Sequence, residues 1–256
     1  FPTRRSSDLF CYEDGIGVEK DLEQALKFYR QAAEGGSCRA MTNLYSVLYR
    51  DCSHKVRKEA LEYLTKAADM GYAPAQWRLG CYFYYRDDPN GEAAERAVEL
   101  FRKAAAQEDP AGCYYLGRAY WDGKGVDMDM EQSFRWFLKS GEMGDRDAQF
   151  YLGMIYEHGY GRDADLPEAV KWYTLASDGG DETSMVNLGL LYRWGGRGLE
   201  RNYKQAARYF RMAAKRGNGR AANALGNLYE KGLGVEQDDD RAFACFKQAA
   251  EAGNLS

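Results

Sequence analysis

The sequence predicts an all-α protein built from stacked pairs of antiparallel helices, and three observations predict it. The first is a regular beat. Leu-Gly recurs at Leu79, Leu116, Leu152, Leu188 and Leu225, in steps of 37, 36, 36 and 37 residues. The second is a set of markers that keep the same time. An aromatic follows each Leu by four residues (Phe83, Tyr120, Tyr156, Tyr192, Tyr229), and a bulky pair recurs from Phe28-Tyr29 to Cys245-Phe246. The third is composition. The chain holds 28 Gly but only 5 Pro, which suits helices separated by glycine turns. A fixed period of this length marks an array of supersecondary units.

The first helix of each unit reads A-x-x-x-L-G-x-x-Y, as in Ala148, Leu152, Gly153 and Tyr156. Apolar residues four apart share one face at 3.6 residues per turn. Its end is set by a turn: GKGV from Gly123, GYGR from Gly159, GGRG from Gly195 and GLGV from Gly232. Glycine accepts the left-handed conformation that closes a helix. The second helix reads A-x-x-(bulky pair)-x-x-A-A, as in Ala206, Tyr209, Phe210, Ala213 and Ala214. Asp21, Asp165 and Asp238 to Asp240 precede second helices, where a carboxylate caps free N–H groups. The glycine of Leu-Gly is the most informative residue. Mid-helix it costs about 1 kcal/mol relative to Ala, so its recurrence points to a neighbouring helix that passes where a Cβ would stand.

Two units depart from the pattern. Tyr45 replaces the glycine and DCSHK the turn around residues 44–55, and RDDPNG replaces the turn around 86–91. Tyr45 is expected to loosen the local helix contact. At the start, FPTRRSSDL stands where A-x-x-x-L-G should be, and it resembles the in-frame translation of a sequencing-library adapter. Residues 1–9 are therefore read as a cloning scar. The array is taken as 10–256, with about six full repeats and both ends truncated.

These residues resemble the Sel-one-like repeat family, relatives of the tetratricopeptide repeats. The clearest copies run from Arg146 to Asp181 and from Gly219 to Asn254. The resemblance implies a right-handed α-solenoid and an adaptor role in assembling protein complexes. Some cysteine-rich members of the family have a disulfide in each repeat and a link to penicillin binding. The six Cys here lack that regular pairing, and no S-x-x-K occurs. A weak β-lactam-binding activity and a regulatory arm of a larger enzyme are the alternatives to the scaffold.

Chemistry-bearing motifs are scarce. The two histidines, His54 and His158, lie about three units apart with no further His beside them. There is no C-x-x-C, and the G-x-G turns follow helices, so no metal, cofactor or catalytic residue is assigned. The formal charge of -4 gives no basic footprint for nucleic acid, and no apolar run reaches the roughly 18 residues of a membrane helix. Unpaired cysteines favour a reducing compartment. What remains is a surface. Positions two before each Leu, and two and five after it, point away from the core face. They are polar in the outer units but large in the middle ones. This face, expected to line a concave groove, carries the candidate partner-binding residues Trp77, Tyr84, Tyr114, Arg118, Trp121, Phe150, Met154, Arg193 and Trp194, of the types that dominate protein interfaces. Packing between neighbouring first helices is the other reading of the same side chains, and it is stronger for Val186 and Leu190.

Overall fold

The computed structural model describes residues 22–49 and 54–253; the segment read as a scar, the first turn and Asp21 lie outside them. The described residues form thirteen α-helices: α1 (Leu22–Glu34), α2 (Cys38–Leu48), α3 (His54–Asp69), α4 (Ala73–Tyr84), α5 (Glu92–Ala105), α6 (Pro110–Asp122), α7 (Met130–Glu142), α8 (Arg146–His158), α9 (Leu166–Asp178), α10 (Glu182–Trp194), α11 (Tyr203–Lys215), α12 (Gly219–Lys231) and α13 (Asp239–Glu251). They belong to two compact units, one ending at Asp129 and one starting at Met130. Within each unit consecutive helices pack on one another. In the first unit the first helices α2, α4 and α6 also touch in sequence. No strand occurs among the described residues. The one β-bridge, Gly196 to Leu199, closes a tight loop.

The helix boundaries follow from repeated local chemistry. Except at Tyr72, whose side chain makes no cap bond, the N-cap residue between a second helix and the next first helix serves twice. Its N–H closes the helix behind it, as when Asp181 donates to Ala176 O at 2.9 Å and Asn218 to Ala213 O at 3.2 Å. Its side chain then caps the helix ahead: Asp109 accepts from Gly112 N–H at 2.9 Å, Asp145 from Ala148 N–H at 2.8 Å, and Asn218 from Ala221 N–H at 3.0 Å. The expected caps of the second helices are also present, with Asp165 accepting from Glu168 N–H at 3.1 Å and Asp238 from Arg241 N–H at 2.8 Å. The N–H groups of Asp129, Asp165, Asn202 and Asp238 all return to the carbonyl of the aromatic that follows Leu-Gly, from Tyr120, Tyr156, Tyr192 and Tyr229. That bond spans nine residues in three turns and ten in the Tyr192–Asn202 turn. The extra residue produces the final step of 37.

The Leu-Gly glycines do what the sequence suggests. A Cβ on Gly80 would stand 2.5 Å from Cε1 of Phe101, and one on Gly226 would stand 2.7 Å from Cε1 of Phe246. Gly153 and Gly189 meet the rings of Tyr173 and Phe210 in the same way. In these four pairs the first helix therefore lies directly on the aromatic ring of the second. Phe101, Tyr173 and Phe210 are fully buried. In the unit where Tyr45 replaces the glycine, the ring position is held by Leu64, also fully buried. The swap is reciprocal: loss of the glycine is matched by loss of the ring. The turn glycines meet a second demand. Gly125 and Gly234 have φ of 74° and 69°, and a Cβ on either would run into the backbone that begins the preceding second helix, at Ala94 and at Tyr203.

A stripe three and seven residues apart on the second helices completes the stacking. Ala207, Phe210 and Ala214 are buried, as are Val98, Phe101 and Ala105. On α13 the same register reads Phe243, Phe246 and Ala250, and there Phe243 is 71% exposed where Ala207 is 1% exposed. Stability in such arrays is shared between nearest neighbours, and among the described residues α13 packs on α12.

Two substitutions test these assignments. Gly189→Ala should destabilise the protein in urea melts, because overpacking costs about 1–3 kcal/mol and outweighs the helix-propensity gain of about 1 kcal/mol; adding Phe210→Leu should recover part of the loss. Glu108 has φ of 58° at the position where Gly36, Gly71, Gly144, Gly180 and Gly217 stand in other repeats. Glu108→Gly should raise stability by about 1 kcal/mol, read in the same melts.

Candidate functional site

In the first unit the outward side of α4 and α6 is an aromatic and guanidinium network. Trp77 stacks on Tyr115 with centroids 5.6 Å apart, and Tyr115 stacks on Phe101 at 5.3 Å. The Arg78 guanidinium lies 4.1 Å over the Trp77 ring. Tyr84 donates its hydroxyl to Asp122 Oδ2 at 2.7 Å. Arg118 reaches the same carboxylate oxygen at 3.1 Å and donates to the Tyr114 hydroxyl at 3.3 Å. Lys124 sits 5.0 Å over the Tyr84 ring. Tyr84 and Arg118 are thus joined through Asp122, a residue the sequence pattern did not single out, and Tyr114 joins them through Arg118.

The predicted residues differ in how they meet solvent. Tyr84 is 2% exposed and Tyr114 8% exposed, so both face into the packing between first helices. Trp77, Arg118 and Trp121 are half-buried. In the second unit Phe150 and Met154 are half-buried, Phe150 lying 6.0 Å from Tyr173. Val186 is buried, and Leu190 packs against the same core as Val186. Arg193 is half-buried with its guanidinium 4.9 Å over Trp194, which is 68% exposed. Glu157 accepts the Tyr173 hydroxyl at 2.7 Å, and the same Tyr173 ring underlies Gly153.

Between α2 and α4 lies a cleft of about 480 Å³, lined by Tyr45, Tyr49, Cys81, Tyr82, Tyr85 and Arg86. Tyr49 lies 4.9 Å from Tyr45 and edge-on to Tyr82 at 6.4 Å. Burial pushes the Tyr45 hydroxyl up to about 12 and the Cys81 thiol up to about 12. Burial also raises Tyr84, reinforced by its bond to Asp122, and Tyr115, which shares a hydrogen bond with Cys81. The sequence reading passed over these lining residues as a set. Their signal was present: Tyr45 stands in a glycine slot, and the two units that break the motif are neighbours.

Cys38, Cys81, Cys113 and Cys245 are free thiols. His158 is exposed beside Glu157, 3.9 Å away, and the side chain of His54 lies outside the described residues. Among the described residues no group of three or more His, Cys, Asp or Glu could hold a metal ion, and no helix is long and apolar enough to cross a membrane.

The model of the Sel1 repeat matches residues 7–37, 53–72, 73–109, 110–145, 146–181, 183–218 and 219–254. The chain belongs to the Sel1 repeat family. The stretch 38–52, which holds Tyr45 and Tyr49, falls between matched repeats. An uncharacterized protein of Neisseria meningitidis serogroup B is 30% identical over 234 residues, covering 91% of this chain and 48% of the relative. Chitin synthase regulatory factor 1 of Schizosaccharomyces pombe is 32% identical over 123 residues, 46% of this chain and 26% of the relative. The chain thus spans less than half the length of these curated relatives. Among solved structures, c5321, a protective antigen of uropathogenic Escherichia coli with this repeat fold, gives a TM-score of 0.79 at 32% identity, over 90% of this chain and 49% of that one. A Sel1 repeat protein of Oxalobacter formigenes gives 0.75 at 30% identity, over 98% and 72%. Sel1 repeat proteins are generally protein-interaction scaffolds and typically non-catalytic.

The raised thiol makes one direct prediction. At mildly alkaline pH the Sel1 chain's Cys81 should be alkylated by iodoacetamide more than about tenfold slower when folded than in urea, because the thiolate is the nucleophile. Peptide mass spectrometry of timed samples reads this.

Proposed function

We propose that this chain is a scaffold that holds a peptide or protein segment against the outward side of its first helices. The observation that carries the reading is the contrast between repeats. Side chains two before and two and five after the Leu are polar in the last pair, at Asn223, Asn227 and Glu230, but mostly large in the middle pairs, where nine of the twelve are aromatic, sulfur-bearing or guanidinium and the others are Glu157, Val186 and Leu190. Trp77, Arg118 and Trp121 offer a half-open face in the first unit. Phe150, Met154 and Arg193, with the exposed Trp194, offer one in the second. In this reading Tyr84 and Tyr114 act from beneath, orienting Arg118 through Asp122. Large planar side chains give much contact area for little ordering entropy, and Arg and Trp are common binding hot spots.

A second reading makes the chain the regulatory arm of a larger enzyme. It is favoured by the likeness to chitin synthase regulatory factor 1 and by the relatives' greater length. The β-lactam alternative gains nothing from the four free thiols.

Panning the 256-residue chain against a displayed random-peptide library tests the scaffold. Selected peptides should protect first-helix amides from hydrogen exchange. Trp121→Ala or Trp194→Ala should weaken some of them about tenfold, equal to about 1.4 kcal/mol. Peptides that protect only second helices, or whose affinity ignores both substitutions, would refute it.

A further inference from the structure

The two motif-breaking positions of the array converge on one place. Tyr45 occupies the slot of the Leu-Gly glycine. Arg86, seven residues after Leu79, occupies the slot that holds Gly123, Gly159, Gly195 and Gly232 in the other repeats. Both line the cleft between α2 and α4. Replacing those glycines forfeits two devices that the rest of the chain keeps, the close helix contact and the left-handed cap. α4 ends instead on Tyr85 with φ of -90°, which leaves Tyr85 and Arg86 exposed at the rim. Stacking does not require four tyrosines there, since the other pairs stack without them.

The chemistry of the cleft is one-sided. Its walls are rich in phenol rings, and among the described residues that line it the charged one is Arg86. Two further guanidinium groups stand close. Arg57 lies 5.7 Å over Tyr49, and the charge of Arg78 acts on both Tyr45 and Cys81. Among the described carboxylates, Asp87 is exposed, and two others are engaged. Asp88 accepts from the Ala93 and Asn90 N–H groups at 2.6 and 3.2 Å, and Asp122 is held by Tyr84 and Arg118. A chain of formal charge -4 thus carries a locally cationic, aromatic-walled cleft. Its volume lies within the range of ligand pockets, about 300–1,000 Å³.

We propose that this cleft binds a peptide segment that carries an aromatic side chain flanked by carboxylates. The ring inserts among Tyr45, Tyr49 and Tyr82, and a flanking carboxylate meets Arg86. The site rests on the scaffold reading and names its ligand class, at a place apart from Trp121 and Trp194.

The test titrates a fluorescein-labelled peptide with one Phe between Asp and Glu residues into the full chain, read by anisotropy. Two counterparts replace its acidic residues with Lys or its Phe with Ala. The acidic aromatic peptide should bind, weaken as salt is raised, and exceed both counterparts by about tenfold or more. Arg86→Glu, at an exposed position that does not bear on folding, should cost about tenfold and shift preference towards the Lys peptide. Tyr45→Gly, which restores the motif residue and narrows the wall, should also weaken binding while circular dichroism shows the helices intact. Equal binding of the Lys peptide, or of the Phe-to-Ala peptide, overturns the proposal, as does indifference to Arg86→Glu. If library-selected peptides still depend on Trp121 or Trp194 in that event, the cleft assignment falls and the scaffold reading stands. If no peptide binds at either place, both fall.

Discussion

The fold depends on a glycine pressed against an aromatic ring. In four pairs, at Gly80, Gly153, Gly189 and Gly226, the missing Cβ of the first helix admits the ring of the second, and the two helices close to a distance that a methyl group would forbid. The residue is expensive by helix propensity alone. Its cost is recovered where the ring becomes fully buried, as at Phe101, Tyr173 and Phe210, since burial of a large apolar side chain stabilises by about 1.5–3 kcal/mol. Everything else is arranged around that contact. The turn glycines bring the loop back onto the start of the preceding second helix. The capping Asp or Asn then fixes where the next helix begins.

Departure from the contact has consequences beyond its own pair. Where Tyr45 takes the glycine's place, Leu64 takes the ring's, and aromatic volume moves from the interior of the pair to the surface between α2 and α4. The same apolar mass that elsewhere serves cohesion there lines a cleft. A repeat protein can acquire a site in this way without altering its backbone plan, since each pair contacts only its neighbours. The likeness to solved Sel1 repeat structures at TM-scores of 0.79 and 0.75 fits a plan that tolerates such local exchange.

The candidate interaction face illustrates a tension common to stacked helices. Tyr84 and Tyr114 lie on the side chosen by helical geometry, yet they are buried between first helices. They hold Asp122 and Arg118 in a hydrogen-bonded chain. Trp194 lies at a helix end, beyond the reach of the neighbouring helix, and stands open. Angular position on a helix is therefore a poor guide to exposure in an array. Position along the helix axis matters as much.

The sequence by itself determined the class, the period, the two faces of each helix, the capping residues of the second helices and the glycines at which helices meet. These follow from local rules: 3.6 residues per turn, the cost of glycine, the need of free N–H groups for a partner. It also marked Tyr45 as an exception, since one marker of a strict repeat was missing. Only the tertiary structure decided that Tyr84 meets Asp122 and that Tyr45 and Arg86 share one cleft. Those pairs stand 38 and 41 residues apart in sequence. Their separation in space is set by how helices stack, a quantity that a linear pattern does not contain.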